Sequence, residues 1–131
     1  MKRFKLFSTL LCVMVLLGFS VTAYAASQVR GFNYEFKHQL SVSGTYKANR
    51  STAHFYIFTS KNDGKDTYFT IKQYKYKVLG TNTYQRQANI SCQSGTAGSC
   101  YLNTTSGTKY TYEFWKPTAV GYVKGSGRLT Y

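Results

Sequence analysis

Single-residue alternation of apolar and polar side chains is the feature that most constrains this chain. Phe32, Tyr34, Phe36, His38 and Leu40 are separated one by one by Asn33, Glu35, Lys37 and Gln39. Successive side chains of an extended strand point to opposite faces, so this pattern predicts a half-buried strand over residues 31–40. Residues 52–59 are rich in β-formers (His54, Phe55, Tyr56, Ile57, Phe58) and predict a second strand. Asn62-Asp63-Gly64 is a turn signal, because these residues tolerate positive φ. A third strand runs from Thr67 to about Leu79, and the pair with its turn predicts a hairpin.

The third strand carries a conflict of phase. Phe69 and Ile71 suit one face, whereas Tyr74, Tyr76 and Val78 suit the other. One step of register exchanges the faces of a strand. A bulge or bend near Lys72–Gln73 is therefore expected, inserting a residue so that Tyr74 and Tyr76 pack and Lys75 and Lys77 point outward. After a turn at residues 80–83, Tyr84, Arg86, Ala88, Ile90 and Cys92 alternate with polar neighbours. Residues 100–103 return, and Tyr110, Tyr112 and Phe114 alternate with Lys109, Thr111 and Glu113 in a strand that Pro117 ends. Residues 120–123 and 128–131 are two closing segments separated by Gly125-Ser126-Gly127. No 3.6-residue apolar repeat persists over three turns. Short strands with Gly, Asn and Ser turns predict an all-β domain, a small antiparallel β-sandwich or barrel of seven to eight strands.

The first 25 residues follow different rules. Lys2, Arg3 and Lys5 precede an apolar run from Leu6 to Phe19, and Ala23-Tyr24-Ala25 places small residues where a signal peptidase reads. The run is shorter than the roughly 20 residues needed to span a bilayer. The segment reads as a cleaved secretory signal helix, leaving a single domain over 26–131 in a secreted, extracellular or wall-associated protein. Three of the 17 basic residues leave with it, so 14 face 4 acids, a balance of +10. Two cysteines remain, Cys92 and Cys100, and an even pair in an exported chain predicts a disulfide.

Composition then narrows the function. With only Glu35, Asp63, Asp66 and Glu113 as acids, a carboxylate-rich cation site is excluded. Cys92, Cys100, His38 and His54 match no familiar zinc spacing, and no metal or cofactor is expected. Aromatic residues at 18% separate the chain from disordered polycations. No Gly-x-Ser-x-Gly elbow, P-loop or dinucleotide fingerprint occurs.

The segment Lys72-Gln73-Tyr74-Lys75-Tyr76-Lys77 interleaves cations with amphipathic rings, and Arg86 on the next strand extends it. These residues, Lys72, Tyr74, Lys75, Tyr76, Lys77 and Arg86, are the candidate binding set. Their expected partner is an anionic wall polymer or membrane surface, engaged by a monomer. Lys outnumbers Arg ten to four after residue 25, which suits a diffuse anionic partner better than base reading, although nucleic acid stays within the class. Bacteriocin-like growth inhibition or retention at the producer's wall would follow from such capture. Two alternatives remain open. Tyrosines stack on sugar rings, which fits a carbohydrate- or matrix-binding module. Glu35 or Glu113 with His38 or His54 and an Arg would suffice in principle for a small secreted ribonuclease-like hydrolase. Trp115 falls opposite Tyr110, Tyr112 and Phe114 in phase, at an exposed contact or a second packed face.

Overall fold

The computed structural model describes residues 27–131, so the expected signal helix over 1–25 lies outside the described residues. Eight strands follow in order: β1 (Val29–Phe36), β2 (Gln39–Lys47), β3 (Thr52–Asn62), β4 (Tyr68–Lys75), β5 (Thr83–Ser91), β6 (Thr96–Asn103), β7 (Lys109–Trp115) and β8 (Val123–Thr130). They form two four-stranded antiparallel sheets, ordered β1-β8-β3-β6 and β2-β7-β4-β5. Every connection except β4 to β5 carries the chain from one sheet to the other. This is the eight-stranded jelly-roll form of the β-sandwich.

The crossovers explain where the structure departs from the sequence reading. The strand expected over 31–40 is two strands with a bend at Lys37-His38. Alternation survives the bend because β1 and β2 face one core from opposite sheets: Tyr34, Phe36 and Val42 are all buried. The expected hairpin of the second and third strands does not form, since β3 pairs with β6 and β8 while β4 pairs with β5 and β7. The turn between them exists nonetheless. Asn62 accepts from the Gly64 amide at 2.9 Å and donates to the Asp66 and Cys92 carbonyls, both at 2.8 Å. Gly125 and Gly127 lie within β8 rather than between segments. A Cβ at Gly127 would meet the Phe32 ring at 2.6 Å and Ile57 at 2.7 Å, so this strand has no room for a side chain there.

The phase conflict in β4 is resolved differently from expectation. The ladder is irregular between Gln73 and Tyr74, but the extra residue, Gln85, belongs to β5. β4 keeps unbroken register with β7, so Phe69, Ile71 and Gln73 face inward and are buried. Tyr74 does not pack in the core. It stands on the outer face.

The expected disulfide is also absent: Cys92 and Cys100 are buried free thiols. Cys92 ends the β5 side and donates to the Asp66 carbonyl at 3.3 Å, whereas Cys100 lies on β6 opposite Phe55 in the other sheet. Gly98 packs against Ile90 and Ser91. Cys100 lies two residues beyond Gly98 on β6, whereas Cys92 directly follows Ser91, so the two thiols are offset along their strands.

The core between the sheets is aromatic. Phe114 lies at its centre, with ring centroids of Phe32, Tyr34, Phe36, Phe55 and Phe69 between 5.0 and 6.1 Å away. Edge-on and tilted pairs of this kind add to the burial term. Because the interior is filled, the two sheets present rigid outer faces.

Candidate functional site: a lysine- and tyrosine-bearing sheet face

β7 builds the site. Tyr110, Tyr112 and Phe114 are buried, which turns Lys109, Thr111, Glu113 and Trp115 to the outer face. Cross-strand register then fixes their neighbours. Trp115 stands opposite Gln39 and Thr70, Glu113 opposite Ser41 and Lys72, and Thr111 opposite Tyr74, whose partner on β5 is Tyr84. The last row pairs Lys109 with Lys47. Tyr76 adjoins it, its amide donating to the Lys109 carbonyl at 2.9 Å.

Along this face the electrostatics change. At one end Lys72 lies 4.0 Å from Glu113 and 4.7 Å from the Trp115 ring centroid, with the His38 ring 5.5 Å from the same indole. Its charge is balanced. In the middle Tyr74 and Tyr84 meet edge to face at 5.8 Å. Burial, then the nearby Glu113 carboxylate and Tyr84, raise the Tyr74 phenol above its ordinary value, so it remains a hydrogen-bond donor at neutral pH. A groove of about 410 Å³ beside it includes Ser41, Asn82, Thr111 and Glu113 in its walls. At the far end Lys47 and Lys109 are direct cross-strand neighbours of like charge. Neither has a carboxylate within ion-pair distance among the described residues. Such a pair opposes folding.

All four acids are already engaged. Lys61 holds Asp63 at 3.3 Å, Lys72 holds Glu113, Lys116 holds Asp66 at 3.5 Å and Lys124 holds Glu35 at 3.8 Å. Lys116 is fully buried, its ammonium also donating to the Val120 and Gly121 carbonyls at 2.6 and 2.8 Å. It is a structural staple between two loops, removed from any surface role. Ten basic side chains remain without a carboxylate partner among the described residues.

The structure brings together only part of the candidate set. Lys72 and Tyr74 share the outer face, and Tyr76 follows them past the end of β4. Lys75 stands opposite buried Tyr110, in the core-facing phase but at the exposed end of the sheet, and Lys77 lies in the following loop. Arg86 is opposite buried Gln73, so it leaves the edge strand on the other side. Sequence reasoning missed Lys47 and Lys109. The phase of Lys109 was visible in β7, but its pairing with a residue 62 positions away was not.

His38 and His54 stand apart. His38 lies two residues beyond Phe36, whose β8 partner is Val123, whereas His54 pairs with Thr130. Seven residues of strand separate those rows, about 23 Å. His54 stacks on Tyr101 at 4.3 Å, and each histidine has one buried ring nitrogen without a hydrogen bond. Neither forms an ion pair with a carboxylate among the described residues. Burial raises the Cys92 thiol to about 11 and that of Cys100 to about 12, so neither is an activated nucleophile. No group of three or more metal-ligating side chains occurs among the described residues.

No protein-family model matches the chain, and no curated protein matches it. A solved chain is similar to it at 14% identity and a TM-score of 0.35, covering 87% of this chain and 96% of its own. That structure comes from work on Bacillus endospore appendages, described as a novel family of disulfide-linked pili. Likeness at that level assigns no function.

Proposed function

We propose that this protein acts outside the cell as a non-enzymatic β-sandwich that binds anionic, phosphate-bearing envelope material through the lysine end of the β2-β7-β4-β5 sheet. The observation that carries this reading is the Lys47–Lys109 pair. Two like charges held side by side without a local acid cost stability, and an incoming anion relieves that cost. Lys75 and Lys77 border the pair, and the Tyr74, Tyr76 and Tyr84 rings offer hydroxyl donors and flat surface beside it. Lys72 is the weakest member of the expected set, because Glu113 already balances it. The bacteriocin-like consequence requires a further step that capture alone does not supply.

The test is binding to long-chain inorganic polyphosphate as ionic strength rises. Contact by about four lysines predicts a loss of affinity on the order of 50-fold between 50 and 200 mM salt, by counterion release. Lys47→Gln with Lys109→Gln should remove about half of that salt slope. Binding that ignores both salt and these substitutions would refute the reading.

A second reading rests on the opposite sheet. Tyr56 and Phe58 of β3 and Tyr101 of β6 are exposed on its outer face, beside small residues Ser99, Ala97 and Ser126. Phe58 borders an open groove of about 610 Å³ that also includes Asn33, Ser60 and Ser126. Rings two residues apart on one strand are spaced by roughly 7 Å, a platform for sugar rings. Here Tyr56→Ala and Phe58→Ala should abolish retention on an insoluble polysaccharide, and salt should not.

A further inference from the structure

We propose that the β4–β5 loop is a membrane-contact tip, so that the anionic partner is a lipid bilayer, with Val78 and Leu79 entering its interface. This rests on the phosphate-binding reading above and names the surface that supplies the phosphates. Val78 and Leu79 are 83% and 87% exposed, more than any other large apolar residue described. They are adjacent, with no polar residue between them, in a loop where polar turn formers are the rule.

The tip is presented on a fixed base. The Tyr76 amide donates to the Lys109 carbonyl at 2.9 Å, and the Lys77 amide donates to Asn82 Oδ1 at 3.1 Å. Asn82 in turn donates to Thr111 Oγ1 on the sheet face at 3.1 Å. Gly80 makes the reversal at φ +88°, and a Cβ built there meets nothing within 4 Å, so the end of the loop stands clear of the domain. Behind it lie Lys75 and Lys77, with Lys47 and Lys109 closing the adjoining end of the sheet.

An apolar point backed by uncompensated cations matches an anionic bilayer in order of depth. The cations meet headgroup phosphates, and the aliphatic side chains reach the acyl boundary. A soluble polymer offers no apolar layer to receive them. Nor does a second copy fit well. Two aliphatic side chains present on the order of 200 Å², whereas stable protein contacts bury about 800 Å² on each partner.

The experiment compares two probes: vesicles of equal parts phosphatidylglycerol and phosphatidylcholine, and soluble long-chain polyphosphate. The double variant Val78→Ser with Leu79→Ser should bind the vesicles about tenfold or more weakly, while its affinity for polyphosphate stays within about twofold. Because both side chains are exposed, its thermal midpoint should match the parent. Vesicle affinity equal to the parent's overturns the membrane tip and leaves the phosphate reading intact. Failure of the parent to bind either probe overturns that reading as well. A parent that is dimeric by sedimentation, and a double variant that is monomeric, would make the tip a self-docking surface and also overturn the proposal.

Discussion

Reversing one charge at the lysine end of the sheet should make the protein more stable and less able to bind. Lys47 and Lys109 are directly opposed across the β2–β7 ladder, with Cβ atoms about 5 Å apart as in any such pair. Lys109→Glu replaces a repulsive cross-strand pair by an attractive one. Cross-strand charge pairs are worth roughly 0.2–1 kcal/mol, so the change of sign should gain about 0.5–1 kcal/mol at low salt. In a domain of this size that corresponds to a rise of about 2–6 °C in the thermal midpoint. Lys and Glu are similarly disfavoured in strands, so propensity contributes little to the difference. Circular dichroism melts at low salt and at about 1 M salt, where screening shortens to about 3 Å, separate the contributions. The gain should shrink by more than half in high salt, and polyphosphate affinity should fall at low salt. A midpoint that drops on substitution, or a gain that salt leaves untouched, would show that Lys47 and Lys109 do not repel and that the site is not electrostatically stressed.

Four further outcomes are expected. Lys116→Met leaves the Val120 and Gly121 carbonyls without their donor and Asp66 without its ammonium, and should cost about 3 kcal/mol in a denaturant titration. Adding Asp66→Asn should recover part of the loss, since Thr118 already donates to that carboxylate at 2.6 Å. Phe114→Ala, at the centre of five ring contacts, should cost about 3–5 kcal/mol and lower the denaturation midpoint with no change in exposed-face binding at temperatures where it remains folded. Burial raises Tyr34 and Tyr112 to about 12 in the fold. The folded values exceed the unfolded ones, so this stability is complete below pH of about 10 and is lost as pH climbs through 12. Unfolding midpoints followed from neutral pH to pH 12 test that. A thiol reagent at pH 8 should report two slow cysteines that react at once when denaturant is added.

The sequence alone determined the class of the fold and most of its interior. The shared two-residue phase of Tyr34 with Phe36, and of Tyr110, Tyr112 and Phe114, marks which residues enter the core, because strand geometry converts spacing into facing without reference to distant partners. The same phase rule set Lys109 and Trp115 opposite the buried residues, but it did not decide whether Trp115 meets solvent or a second packed face. Lys116 falls in step with the buried residues, but only the fold supplies the Asp66 carboxylate and the Val120 and Gly121 carbonyls that make its burial possible. Partnership is what local pattern cannot carry. In a jelly roll almost every connection changes sheets, so neighbours in the chain are seldom neighbours in the ladder. That is why the hairpin of β3 with β4 and the Cys92–Cys100 bridge looked reasonable and do not form. The Gln85 irregularity in β5, the glycine contacts along β8 and the meeting of Lys47 with Lys109 all depend on pairings between remote segments. Register between such strands is set by the closing of the two sheets over one shared aromatic core.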